Sequence, residues 1–437
     1  MATLKRFIPH AWLKPYHFLL AHLASWYYRH PSKELVVIGV TGTNGKTTTS
    51  YFLSKTLEAS GHKTGLTSTA ILKIGDREWI NDTKMTMPGR FFLQRMLRKM
   101  VDAGCTYAII ETSSQGLIQF RHIGIAYDIA VFTNLTPEHL EAHGGFENYK
   151  RAKKMLFDHL ASLPKKVRHG KPIPRAIVVN ADDDASGYYA QTPGITDVRW
   201  YGVDRARGLQ ATDLVLEGQT ARFMIQDLTV HLRLPGRYNV ENALAALATS
   251  QVIDIPLTDA IKRLESIERV PGRFERVETG QPWTVIIDYA PEPESLRRLY
   301  EVLAKMPKRR LIHVFGSCGG GRDQARQPLL GEMVGRTADI AIVTNEDPYD
   351  DPPLEIIHRI AEGARRVGKK EEVNLFLIED RRRAIQYAMS LAQPDDVVLM
   401  TGKGCETWMC VANGKKIPWN EAEVAKEAIR SVLRNTA

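Results

Sequence analysis

The chain has 437 residues, too many for one hydrophobic core, and at 43% hydrophobic and 25% charged it reads as a globular protein of two or three domains. A formal net charge of +9 fits anionic ligands, but no run of Lys and Arg interleaved with aromatics is present, so no nucleic-acid partner is expected. Cys105, Cys318, Cys405 and Cys410 show neither a C-x-x-C pair nor a His spacing suited to zinc, and they read as free thiols of a reducing cytosol.

Residues 1–35 read as a short helical segment. Within "LKPYHFLLAHLASWYYRHPSK" (13–33) the thirteen uncharged residues Tyr16–Tyr28 fall short of the ~20 that span a bilayer. The basic flanks lack a small-residue cleavage site, which argues against a secretory signal. Aromatics on several faces leave three readings open: a helix docked on the protein's own body, an in-plane membrane-surface contact through residues 13–30, or a partner surface.

"VVIGVTGTNGKTTTSYFL" (36–53) reads strand, turn, helix. Val36–Val40 is the β-branched run of a buried parallel strand, and Gly42 and Gly45 permit a tight turn with exposed N–H groups. A helix begins beyond it, so its positive end, the Lys46 ammonium and a Thr hydroxyl face one point, which suits a polyphosphate with its Mg²⁺. The run is shorter than G-x-x-x-x-G-K-[ST], and an ordinary turn with a capping Thr is the plain alternative. Strand, double Gly, Lys, Thr-Thr and helix in that order favour a nucleotide-phosphate loop.

Strand and helix alternate from there, predicting an α/β fold with a mainly parallel sheet. Strands at 107–116, 129–135 and 175–186 place Glu111, Asn134 and Asp182 at carboxyl ends, where open sheets bind ligands. A Thr hydroxyl, the Glu111 carboxylate and phosphate oxygens form a plausible Mg²⁺ shell, with His139 a less usual ligand; a capping Glu and a surface His are the plain readings. "ENYKRAKKMLFDHL" (147–160) is an amphipathic helix with Tyr149, Ala152, Leu156 and Phe157 on its apolar side. Lys153 lies close to that side, while Lys150 and Lys154 read as solvated. Residues 197–234 read as an antiparallel insertion. From about 271 five further strand candidates (283–290, 310–323, 338–348, 372–380, 395–404) predict a second, Rossmann-like unit. The expected organisation is a helical segment over 1–35, a central P-loop ATPase domain over 36–270 and a C-terminal Rossmann-like domain over 271–437.

The ordered blocks TGTNGKTTT, ETSSQGLIQFR, FTNLTPEHLEAHGGFENYKRAKKMLF, LPGRYNVENALAA, VPGRFE, IIDYAPEPESL, FGSCGGGRDQARQP, VTNEDPYDDP and TGKGCETW resemble the Mur ligase family across residues 36–437. The nearest likeness is to members that add the third residue of the peptidoglycan stem peptide. The resemblance implies an ATP-dependent ligase that phosphorylates a muramoyl-peptide carboxylate and lets an amino acid's amine displace the phosphate. It implies ATP at Gly42, Thr43, Asn44, Gly45, Lys46, Thr47 and Thr48, with Asn239, Arg273 and Asp288 around the nucleotide. It further implies two Mg²⁺ ions at Thr47, Glu111, His139 and a carbamylated Lys153, with Lys46, Lys153 and His139 as the catalytic set. Thr86, Ser113, Gln119 and Arg121 match positions that hold the muramoyl peptide. Arg322, Glu346, Asp347, Tyr349, Gly402 and Glu406 match the incoming amino acid's pocket, and a monomeric, cytoplasmic enzyme is expected.

The departures carry information. Family members begin with a domain that grips the uridine nucleotide, whereas 35 residues precede this loop. The UDP end is therefore expected on the N-terminal helix and central domain, or else the acceptor is a peptide without UDP or another poly-amino-acid acceptor. A non-catalytic binding subunit of the same fold is the remaining alternative, disfavoured by the intact Lys46, Glu111, His139 and Lys153. Tyr349 stands where diaminopimelate-adding members carry an Arg, and Asp350 and Asp351 add acidity, so lysine or another basic amino acid is expected over diaminopimelate. Gln115, Pro291 and Cys405 replace histidines, and Glu138 replaces an Asp.

Overall fold

A computed structural model describes residues 10–138, 140–168, 170–321 and 324–436. Two sheets organise it. The first runs β11-β10-β9-β6-β1-β5-β2-β3-β4, with β1 Val36–Thr41, β2 Thr64–Thr67, β3 Ile71–Ile74, β4 Arg77–Ile80, β5 Tyr107–Glu111 and β6 Ile129–Phe132. Val167–Arg168 and Lys171–Pro172 form a small separate ribbon (β7, β8), and β9 Ala176–Asn180, β10 Asp197–Gly202 and β11 Leu209–Gln210 complete the sheet. From β11 to β2 all neighbours pair in parallel. Strands β1, β5, β6 and β9 are buried along their whole length, which explains their apolar runs.

Period-two alternation splits the core. Val36, Ile38 and Val40 face the phosphate-loop helix (Lys46–Leu57) and the helix Arg237–Val252, whereas Val37 packs with Leu156 and Phe157 on the opposite side. The helix Phe146–Ser162 buries Tyr149, Ala152, Leu156 and Phe157, as its periodicity predicts. Lys154 departs from its expected solvated position: it is buried, and its Nζ donates to Thr192 Oγ1 at 2.6 Å and Tyr188 O at 2.9 Å. Residues 197–234 are only partly an antiparallel insertion. After the short helix Ser186–Ala190 the chain re-enters in the same direction as β9, so β10 adds in parallel, and only Thr212–Leu232 is an antiparallel meander (β12–β14).

The second sheet runs β15-β16-β20-β17-β18-β19, from β15 Glu275–Arg276, β16 Thr284–Asp288, β17 Leu311–Phe315, β18 Ile340–Val343, β19 Leu375–Leu377 and β20 Val397–Thr401. Only β15 is antiparallel. The five strands read from the sequence are β16 to β20.

The N-terminal segment folds as a helix, α1 (His10–Tyr27), that docks through small residues: Ala21, Ala24 and Ser25 are buried, and Ser25 Oγ donates to Gly124 O at 3.0 Å. Its larger apolar side chains face outward, with Leu19 at 68% and Trp26 at 65% exposure.

Arg381 and Glu421 pair at 2.6 Å with both side chains at 0% exposure, and Arg381 Nη2 also donates to Thr401 O at 2.7 Å. The pair pins the C-terminal helix (Glu421–Thr436) to the end of β20. Removing one partner strands a buried charge, so Glu421→Ala should cost about 3–5 kcal/mol of unfolding free energy in denaturant titration, with Arg381→Met/Glu421→Leu costing less.

Candidate functional site

The turn between β1 and the helix Lys46–Leu57 is held open for a ligand. Gly42 has φ +151° and an added Cβ would lie 1.9 Å from Thr133 Oγ1; Gly45 has φ +82° and would place one 2.2 Å from Asn242 Oδ1. Asn134, at the end of β6, fixes the loop: its carbonyl accepts from Thr43 N at 2.8 Å, its Oδ1 from Asn44 N at 2.9 Å, and its Nδ2 donates to Asn44 O at 3.1 Å. With its backbone so tied, the loop directs the helix's first N–H groups into a cavity. Lys46 Nζ rests on Thr43 O at 2.6 Å.

That cavity extends from the loop to the carboxyl edge of the second sheet, lined by Thr43–Thr48, Thr86, Glu111, Asn239, Arg273, Asp288, Asp347, Tyr349 and Glu406. Arg273, lying over the Tyr289 ring, reaches across to donate to Thr47 Oγ1 at 3.3 Å. Asp288 accepts from Phe274 N and Ala290 N, and burial raises its pKa despite Arg273 nearby. Gly42 and Lys153 lie behind the loop. Ser113 caps its own short helix by accepting from Gly116 N, and Gln119 and Arg121 pair with each other beyond the described cavity wall. Glu346 and Gly402 sit behind Cys318, whose thiol donates to Glu346 Oε1 at 2.8 Å. His139 and Arg322 lie outside the described residues.

Glu111 is 1% exposed. It accepts from Thr47 Oγ1 at 3.0 Å, Thr69 N at 2.7 Å and Thr69 Oγ1 at 2.9 Å, and no lysine, arginine or histidine among the described residues pairs with it. A buried carboxylate without a cation, beside a hydroxyl at a helix N-terminus, is a donor set that fits a hard, oxygen-seeking ion such as Mg²⁺. Among the described residues no cluster of three His, Cys, Asp or Glu exists, so phosphate oxygens and water would complete such a shell.

Lys153 is 1% exposed, 4.2 Å over the Tyr149 ring, and its Nζ donates to Gly42 O at 2.7 Å. Burial first, and Lys46 second, hold its pKa well below the usual lysine range, with Glu138 opposing. Burial thus favours the neutral amine, the form that can react as a nucleophile.

Two lysines that the sequence did not single out shape the far end. Lys84 Nζ lies against Asp347, 2.9 Å from Glu406 Oε2, and donates to Trp408 O at 3.0 Å. Lys403, at 0% exposure, pairs with Asp347 at 3.0 Å and Glu406 at 2.8 Å. Burial pushes the Asp347 carboxyl up, but Lys403 and Lys84 together hold it below the usual range. Lys403 adjoins Gly402 in the sequence and was within reach of motif reading; Lys84, a lone lysine in a polar loop, gave no signal. Asn242 was also missed, although it shares the face of Asn239 one helical turn away.

A phosphate loop opposite an ion-paired second sheet defines a nucleotide-phosphate-binding α/β protein of two-sheet type. Residues 40–250 match the Mur ligase middle domain, and residues 272–404 match the Mur ligase glutamate ligase domain. The chain is 40% identical to UDP-N-acetylmuramyl-tripeptide synthetase of Roseiflexus sp. (strain RS-1) over 417 residues, covering 94% of this chain and 81% of that protein. It is 37% identical to UDP-N-acetylmuramoyl-L-alanyl-D-glutamate–2,6-diaminopimelate ligase of Bacillus cereus, covering 95% and 82%. Among solved structures, a UDP-N-acetylmuramoyl-L-alanyl-D-glutamate–2,6-diaminopimelate ligase superposes with TM-score 0.60 at 27% identity, covering 94% of this chain and 82% of that one. The MurF ligase of Thermotoga maritima in complex with ADP shares the fold, with TM-score 0.67 at 19% identity over 95% and 85%. The chain belongs to the Mur ligase family.

Proposed function

We propose that the protein is an ATP-dependent amide ligase of peptidoglycan precursor synthesis, adding an amino acid to a muramoyl-peptide carboxylate through an acyl phosphate. One observation carries the reading: a single cavity is walled at one end by the phosphate loop and at the other by Asp347, Tyr349 and Glu406. Residues 36–270 then serve as the ATP-binding unit and 271–437 as the amino-acid-binding unit.

The loop amides and Lys46 bind the polyphosphate, with Lys46 Nζ exchanging Thr43 O for phosphate oxygens. An acceptor carboxylate oxygen bonds the γ-phosphorus as the β–γ bridge breaks and ADP leaves. The amine nitrogen then bonds the acyl carbon, phosphate departs, and the amine proton passes to solvent. Two anions meet in the first step, so the repulsion must be screened. Thr47 and Glu111 would hold one Mg²⁺ and a carbamylated Lys153 a second, and such ions would supply that screening. Arg273 orients Thr47, and the cavity brings amine and acyl carbon together.

The amino acid is read chiefly from Tyr349. Its replacement of an arginine supports lysine over diaminopimelate, but the acidity counted towards that choice is engaged elsewhere. Asp347 is neutralised by Lys84 and Lys403, Asp350 Oδ1 accepts from Asn413 N at 2.7 Å, and Asp351 Oδ2 from Gly320 N at 2.9 Å. Tyr349 thus stands as the discriminating side chain, in an enzyme read as cytoplasmic. Peripheral membrane contact is supported by the outward Leu19, Leu23, Trp26 and Tyr27 of α1 next to the exposed Arg29 and Lys33; among the described residues no helix is long and apolar enough to cross a membrane.

The direct test is phosphate release with UDP-linked and UDP-free muramoyl dipeptides, each against lysine, diaminopimelate and ornithine. Amide product is expected with one acceptor class and none in Lys46→Ala; absence of product with every pair sinks the reading. Lys153→Ala should lose at least about 100-fold in kcat, partly restored by formate or acetate, and a wild-type rate would refute its role. Tyr349→Arg should raise the kcat/KM ratio of diaminopimelate to lysine about 10-fold or more. Anionic liposomes should sediment the full chain more than Leu19→Ser/Trp26→Ser; equal sedimentation would end the membrane reading.

A further inference from the structure

Two arginines that pair with no carboxylate among the described residues lie by Met87, next to the cavity-lining Thr86. Arg90 opens the helix Arg90–Asp102, whose N-cap Gly89 makes no side-chain cap, and Arg121 lies just beyond the short helix Ser114–Ile118. Both converge on Gln119: Arg90 Nη2 donates to its carbonyl and Arg121 Nη2 to its Oε1 at 2.6 Å. Arg121 Nη1 also donates to Met87 O.

Among the described residues no carboxylate pairs with either guanidinium, and Arg90 Nε is buried with no hydrogen-bond partner. Arg90's electrostatic neighbours are Arg121 and Tyr16 of α1. Burial, then Arg121, brings its pKa down to about 10, and burial lowers that of Arg121; a guanidinium keeps its charge in proteins, so both are cations. Buried arginines elsewhere in this chain are treated differently: Arg381 is paired with Glu421 and Arg326 with Glu292. Two adjacent, partly desolvated cations with free donors and no acid are stabilised by an anion that accepts from both.

We propose that Arg90 and Arg121, walled by α1, form a clasp for the diphosphate of the acceptor, with Arg90 its specificity-determining residue; this rests on the muramoyl-acceptor reading above. Two guanidinium forks at the uncapped start of a thirteen-residue helix are the donor type that phosphate oxygens accept from. The placement fits an extended acceptor: Thr86 lines the cavity, and four residue steps from Thr86 to Arg90 span at most about 14 Å. The clasp reads the diphosphate and ignores what lies beyond it, so nucleotide-linked and lipid-linked acceptors share the chemistry.

Arg90→Gln and Arg90→Lys are compared with wild type on three muramoyl dipeptides: UDP-linked, prenyl-diphosphate-linked in detergent, and phosphate-free. Arg90→Gln should lower the kcat/KM ratio of diphosphate-bearing to phosphate-free acceptor about 10- to 100-fold through KM, with Arg90→Lys intermediate. A fall in each diphosphate arm that wild type turns over supports the clasp, and the arm with the higher wild-type kcat/KM identifies the source; a fall in neither overturns the clasp. Separately, inorganic pyrophosphate is titrated calorimetrically into the full chain with the phosphate loop filled by Mg-ADP. Binding should weaken about 10- to 100-fold in Arg90→Gln, and equal binding in the variant, or none in wild type, overturns the clasp. If no muramoyl acceptor yields amide while pyrophosphate binding depends on Arg90, the acceptor reading fails and the clasp stands.

Discussion

A lysine ammonium shut between two carboxylates of the opposite sheet is the contact on which the cavity depends. Lys84 belongs to the loop after β4, while Asp347 and Glu406 follow β18 and β20. With Lys403 they make an alternating set of two cations and two anions whose net charge is zero, the condition under which such groups can be buried together. Thr86 Oγ1, two residues on, lies 2.8 Å from the Thr69 hydroxyl, which is also 2.9 Å from Glu111 Oε1. One short loop thus ties the acidic end of the cavity to the carboxylate beside the phosphate loop.

Around that contact the two sheets divide the labour by the rule for open α/β folds. Both present their strand carboxyl ends to the same space, one offering backbone N–H groups and Lys46, the other charged side chains. Arg273 crosses from one to the other and fixes Thr47, so the hydroxyl that fits a metal ion is positioned from the far side of the cavity. The family match over residues 40–250 takes in the loop at residues 42–48.

Much of this was legible in the sequence because fully buried parallel strands leave apolar runs that need no partner to be seen. β1, β5, β6, β9 and the five parallel strands of the second sheet were all found in this way. What escaped depends on long-range partners. Lys84 looks like a solvated loop lysine until Asp347, 263 residues away, is placed beside it. Lys154 was misread for the same reason, since its acceptors Thr192 and Tyr188 come from another element. The direction of β10 was set by the short helix before it, because an edge strand of mixed burial carries little periodicity of its own. Asp350 and Asp351 looked like a charge pattern and serve as acceptors for loop amides.

Residues 84–90 gather three attachments on seven positions: Lys84 to the second sheet, Thr86 towards Glu111, and Arg90 beside Arg121. A stretch of backbone so short cannot shift at one of these points and stay still at the others. Any effect of occupancy at one end of the segment on affinity at the other would be returned by the same factor, as linkage requires.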